Sequence, residues 1–133
     1  MGWRFYGHAA IFGTPDVDGD VFATSCFNVF LLNPNHLAAP MLNAHDPAQR
    51  VGRWLRMHQD GFGLFVVGEL YDDLGALTPP YPGLSVKTIN SQGSSIPNVW
   101  GGKLYREVGI EEISLVIPPK HPTARIFGPW ALG

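Results

Sequence analysis

The sequence predicts a mainly β domain. Two observations carry this. The 133 residues include 16 glycines and 12 prolines, spread along the chain, which implies many turns and short elements. Between those turns, apolar residues recur with the alternation of strands, most clearly in Val51–Met57 and Gly61–Leu70. A third run, Ile110–Ile117, alternates and then turns fully apolar, as a strand entering a core does.

The elements follow in order. Trp3–Ile11 reads as a first strand. The next nine residues, Phe12 to Asp20, form a turn-rich loop. Asp16, Asp18 and Asp20 resemble the start of a calcium loop, but the position that needs a glutamate is Phe27, so a solvated turn is the expectation. Val21–Ala23 is a short strand, and Ser25–Leu37 holds a short helix. Met41 and Leu42 are strand residues entering the core, and His45-Asp46-Pro47 closes that strand. Val51–Met57 and Gly61–Leu70 flank an Asp60-Gly61 turn signal, the best hairpin in the chain. Asp72–Pro82 is a connection in which Pro79 and Pro80 forbid a long helix. Gly83–Ile89 is a further strand, Asn90–Asn98 a polar, mobile loop, and Trp100–Tyr105 leads into the apolar strand. Pro118–Pro122 makes a rigid turn before a last element at Thr123–Phe127.

Composition bounds the function. The length suits one domain with one core, taken as 1–133. Hydrophobic and charged fractions of 45% and 15% argue against disorder. A net charge of −2 offers no basic face for nucleic acid. The single cysteine, Cys26, has no internal disulfide partner, which mildly favours a reducing compartment. No apolar run approaches the roughly 20 residues of a membrane span. The N-terminal MGWRFYGHAA lacks a signal-peptide apolar core, and Tyr6 stands where myristoylation needs Ser or Thr. A cytoplasmic protein without nucleic-acid or membrane partners is expected.

The chemistry-bearing residues narrow quickly. No Cys/His cluster has zinc spacing, and no glycine-rich phosphate loop precedes a helix, so neither metal nor cofactor is expected. Asp72-Asp73 and Glu111-Glu112 are paired carboxylates, but adjacent strand residues point to opposite faces, which makes poor acid/base couples. One glutamate of the second pair faces inward and needs a partner there. A histidine at a strand end is most often a surface or satisfied core residue. Even so, His45, Ser85 and one of the glutamates each lie near a strand end, and nucleophilic catalysis uses a hydroxyl, an imidazole and a group that fixes the imidazole tautomer.

Four segments resemble the prohead maturation proteases of HK97-type tailed bacteriophages. Gly7-His8-Ala9-Ala10-Ile11-Phe12-Gly13, with Asp16 and Gly19-Asp20-Val21, resembles the opening motif GYAS-x-FG…D…GDV. Met41-Leu42-Asn43-Ala44-His45-Asp46, then Val51-Gly52, resembles ML-x-x-HD…IG. Gly63–Leu70 and Gly83-Leu84-Ser85-Val86 resemble GL-x-V-x-G-x-L…GLSIG. Glu112–Val116, Pro119 and Pro122–Ile126 resemble EVSLVTFPANPEARI. Together they cover residues 5–126 in order.

The resemblance implies an antiparallel β-barrel with a few short flanking helices, similar to the herpesvirus assemblins. It implies Ser85 as nucleophile, His45 as base and Glu112, not Glu111, as the inward third member. Ser114 is then a packing residue. It implies a serine endopeptidase of capsid maturation, acting inside assembling proheads on scaffolding protein or on the scaffolding segment of the major capsid protein. Assemblin-like self-association is a further implication, with Phe22, Phe27, Phe30 and Leu31 as the apolar residues a small core leaves uncovered. Lys120 and Arg125 are the side-chain candidates for an oxyanion hole. The sequence departs from the family at Lys87, where glycine is preferred, at His121, which replaces asparagine, and in the short proline-rich stretch before Ser85. It also ends soon after the last motif, without a long helical scaffolding tail. Two other classes stand beside the enzyme: an inert capsid-assembly module on the same fold, and a small-molecule-binding barrel.

Overall fold

A computed structural model describes residues 3–71 and 82–131. Its strands are β1 (Trp3–Ile11), β2 (Val21–Phe22), β3 (Met41–Asn43), β4 (Asp46–Gln59), β5 (Gly63–Leu70), β6 (Gly83–Pro97), β7 (Lys103–Val116) and β8 (Ile126–Ala131). One short helix, α1 (Asn28–Leu32), and a 3-10 turn at His36–Ala38 lie between β2 and β3. The mainly β expectation therefore holds for the described residues, with a few short helical pieces. The connection expected over Asp72–Pro82 lies, apart from its last residue, outside them.

The strands form one sheet in the order β2-β7-β3-β4-β5-β1-β8, with β6 on β7 as well. The pairing corrects the expected antiparallel barrel in two respects. β2 and β3 both run parallel to β7, while the other pairs are antiparallel. The ladder also does not close. Beyond the named pairings, the described residues add isolated bridges, Phe12 with Phe22 and Gly83 with Arg125, and no ladder that joins the ends of the rolled sheet.

β7 is the spine. It pairs with β6 from Lys103 to Val116, with β2 at Leu104 and Tyr105, and with β3 at Ile113–Leu115. A strand buried on both faces reads as a long apolar run, and Val108, Ile110, Ile113 and Leu115 are all buried. The partner β6 runs further than the expected strand and loop allow. Residues 90–97, read from their polarity as a mobile loop, continue β6 to Pro97, with a register shift between Ile89 and Ser94. Its turn back to β7 is built by Asn98, whose Oδ1 accepts from Trp100 N–H at 2.8 Å and whose Nδ2 donates to Gly19 O at 2.7 Å. Residues 94–97 of this strand are exposed, so polarity there does not mean missing structure.

The core lies on the inner face of the roll. Phe5, Met41, Leu64, Val66, Leu70, Leu84 and Ile113 are essentially inaccessible to solvent, and Phe5 meets Trp54 edge to face at 5.8 Å between centroids. The β4–β5 hairpin forms as expected. Asp60 Oδ1 accepts from Phe62 and Gly63 N–H, and its other oxygen accepts from His8 Nε2 at 2.7 Å. The aromatic group of the irregular region is largely packed: Phe27 is fully buried, and Phe22 stacks on Tyr105 at 5.3 Å. The large apolar residues that α1 leaves exposed are Val29 and Leu32.

Candidate active site

β7 brings the three expected site residues to one place. In an antiparallel pair, residues directly opposite share a face, and Ser85 on β6 stands opposite Ser114 on β7. Residues two apart on a strand also share a face, so Glu112 joins Ser114. Glu112 is 3% exposed, whereas Glu111 points outward and pairs with Lys87 at 2.9 Å. The expected division of the two glutamates is thus what the strand produces.

His45 arrives from the other side of β7. β3 adds to β7 in parallel, with Leu42 beside Ser114 and Asn43 beside Leu115. β3 and β4 are joined by Ala44 and His45 alone, with Asn43 facing Asp46. Both loop residues have positive φ, 51° and 62°, the pattern of a type I′ hairpin turn. Asn-Gly usually fills such a turn, because a Cβ is disfavoured there. Ala44 N–H donates to Leu115 O at 2.9 Å, and His45 N–H donates to Ser114 Oγ at 3.0 Å. These bonds hold the strained pair against β7 and aim the imidazole along the strand. Ala44→Gly is expected to stabilise the fold by up to about 1 kcal/mol, since relief of the left-handed strain exceeds the added chain entropy. Urea unfolding checks it; a destabilised variant would mean that the Ala44 methyl contributes packing of its own.

The resulting geometry is a chain of hydrogen bonds. Ser85 Oγ lies 3.1 Å from His45 Nε2, and His45 Nδ1 contacts Glu112 Oε1. The other carboxylate oxygen, Oε2, accepts from Ser114 Oγ at 2.5 Å. Ser85 is buried and the imidazole is half-buried. With Nδ1–H donating to the carboxylate, Nε2 is left as an acceptor for the serine proton. Sequence reasoning missed Ser114, which it gave a packing role. Its spacing of two from Glu112 on a strand was the available signal.

Ser85 and His45 open onto a groove of about 400 Å³. It is lined by β1 at Ala9–Ile11, by β6 at Leu84–Thr88, and also by Thr14, Asp16, Asp20, Lys120 and His121. The groove therefore lies where the sheet fails to close. Burial raises the Asp16 carboxyl above the usual aspartate range, against amide bonds from Asp20 and Asp18. Burial lowers His121, which is neutral at pH 7; Thr123 N–H donates to its Nδ1, so Nε2 donates to Thr14 Oγ1 at 2.7 Å. The hydrogen bond that Lys87 donates to Glu111 holds this groove-lining ammonium above the usual lysine range.

The oxyanion-hole candidates are both engaged elsewhere. Lys120 pairs with Asp18 at 2.9 Å, and Arg125 Nε donates to Pro122 O at 3.0 Å. Asp16, Asp18 and Asp20 hold carboxylate oxygens within 4.8 Å of one another. Asp16 Oδ1 accepts from Asp18 and Asp20 N–H, and Asp20 Oδ1 accepts from Lys103 N–H, so the cluster acts as turn chemistry. Cys26 is no rival nucleophile, because burial pushes its thiol up to about 12.

A hydroxyl, an imidazole and a carboxylate in hydrogen-bonded series, beside a groove in a rolled sheet, is the arrangement of serine hydrolases. The chain belongs to the caudovirus prohead serine protease family, whose model matches residues 2–96. It is 28% identical over 124 residues to the prohead protease of Enterobacteria phage HK97, an alignment that covers 92% of this chain and 48% of that protein. The chain thus spans about half the length of this relative. Its fold is similar to that of the KSHV protease, solved in complex with a hexapeptide phosphonate inhibitor. The TM-score is 0.59 at 18% identity, covering 91% of this chain and 62% of that one.

Proposed function

We propose that this chain is a serine endopeptidase of phage capsid maturation, with Ser85 as nucleophile, His45 as general base and Glu112 as the group that orients the imidazole. The observation that carries it is the 3.1 Å approach of Ser85 Oγ to His45 Nε2, with Nδ1 of the same ring on a buried carboxylate. His45 takes the Ser85 proton as Oγ attacks a peptide carbonyl. Glu112 steadies the imidazolium, which then protonates the leaving amine, and a water molecule repeats the sequence to release the acyl group. Backbone N–H groups serve the oxyanion, while the Lys120 ammonium pairs with Asp18 and Arg125 Nε donates to Pro122 O. The substrate class is an extended peptide segment of scaffolding protein or of the major capsid protein's scaffolding region, cut inside the assembling prohead in the host cytoplasm. Family membership supports that setting.

A fluorophosphonate probe tests this. It should label the protein once, on Ser85, and Ser85→Ala should remove the label. A wild-type chain that neither takes the label nor cleaves scaffold would favour an inert assembly module on the same fold. Self-association accompanies this proposal, with the exposed Val29 and Leu32 of α1 in the contact. Sedimentation at tens of micromolar should then show a dimer. A monomer with undiminished specific activity on dilution would exclude it.

A further inference from the structure

We infer that Ser114 is a positioning residue of the site and not a packing residue. This rests on the Ser85-His45-Glu112 proposal and deepens it. Ser114 is fully buried, with no solvent exposure, on the strand that carries Glu112. Its hydroxyl does two things at once. It donates to Glu112 Oε2 at 2.5 Å, and it accepts the backbone N–H of His45 at 3.0 Å.

Each bond fixes a different degree of freedom. A glutamate side chain ends in a torsion with a broad, roughly two-fold preference, so burial alone does not set the plane of its carboxylate. Pinning Oε2 to Ser114 sets that plane and leaves Oε1 for His45 Nδ1. The second bond acts on the backbone. His45 sits at φ 62°, a conformation that persists only where its surroundings over-determine it. The Ser114 oxygen takes the N–H of that residue, so base and orienter are both referred to one atom of β7. The direction of the proton follows: the hydroxyl accepts from an amide and has its own hydrogen free for the carboxylate.

The bond also satisfies a buried charge. Without the hydroxyl, Oε2 loses a donor in a buried position, and the part-buried N–H of His45 loses its acceptor. Hydrogen bonds to charged groups are among the stronger ones, and an unmet buried partner costs more than the bond gains. The loss is felt at the reacting end, because the carboxylate and ring are then free to rotate away from Ser85.

Four variants at this position separate positioning from packing: Ser114→Ala, Ser114→Cys, Ser114→Thr and Ser114→Val. Threonine and valine have nearly the same volume and shape, and only threonine keeps the hydroxyl. Each is assayed for kcat and KM on a scaffold peptide and for the rate of fluorophosphonate labelling per folded molecule, with Ser85→Ala as the blank. Ala, Cys and Val are expected to lose about 10- to 100-fold in kcat and in labelling rate, with KM little changed, and Thr to regain most of it over Val. Normalising to the folded fraction removes any effect of stability alone. Wild-type labelling rates in Ser114→Ala, or equal rates in the Thr and Val variants, would overturn the inference. Labelling that survives Ser85→Ala would instead overturn the underlying assignment of the nucleophile, an outcome visible without any Ser114 variant.

Discussion

Ser85→Ala is expected to abolish peptide cleavage while leaving the thermal unfolding midpoint close to that of the parent. The hydroxyl reaches into the groove, and its one described partner is the imidazole, so its loss strands no other group. The neighbours that hold this stretch of β6 act through the backbone: Gly83 pairs with Val116, and Leu84 N–H donates to Ala124 O at 2.7 Å. His45→Ala should be equally inactive for a different reason, since without a base the serine hydroxyl is a weak nucleophile. It should also be somewhat less stable, because Glu112 then keeps a buried charge whose remaining described hydrogen bond is the one from Ser114. Scaffold-peptide cleavage read by mass spectrometry, beside calorimetric melting, checks both. Full activity in Ser85→Ala would remove the proposed nucleophile.

Glu112→Gln is expected to lower kcat by about 10²- to 10⁴-fold, less than loss of Ser85 or His45. The amide can still present its oxygen to His45 Nδ1 and its NH₂ to Ser114 Oγ, which preserves much of the geometry. The negative charge that supports the imidazolium is gone. If the amide turns over, its NH₂ faces Nδ1 and selects the wrong tautomer, which sets the lower limit of activity. Glu111→Gln should leave kcat within about twofold, because that carboxylate is exposed and its ion pair with Lys87 is a surface one. Equal losses in the two variants would show that the inward glutamate has no special role.

Much of this was legible in the sequence, and the parts that were not have identifiable physical causes. Alternation gave β1, the β4–β5 hairpin and the apolar centre of β7, because those strands have one buried face or two. That Glu111 and Glu112 face opposite sides followed from the period of two, and the resemblance pointed to Glu112 as the inward one. Convergence of His45 with Ser85 did not, since it depends on β3 adding in parallel to β7, and three residues carry no signal of their partner or direction. Composition also misjudged residues 90–97, where serines and asparagine extend a hairpin in place of a loop. The open ladder was equally hidden. Closure depends on how the ends of a rolled sheet meet, which local pattern does not encode. Ser114 was given a packing role because the resemblance assigns the nucleophile to Ser85 and leaves the strand serine no part in the chemistry.

Because β7 is the common reference for all three groups, the order of synthesis bears on when the site can exist. The base and the nucleophile leave the ribosome before β7 does. Until then β3 has only β4 beside it, β6 has no ladder, and the carboxylate brace is absent. Pairing across such long stretches of chain is slow compared with local turns, since the closure entropy comes before the contacts that offset it. On the proposed mechanism, a partly made or partly folded chain therefore carries a serine and a histidine with no means of acting together. Hydrolytic competence arrives in a single step with the completed sheet, which confines it to finished molecules.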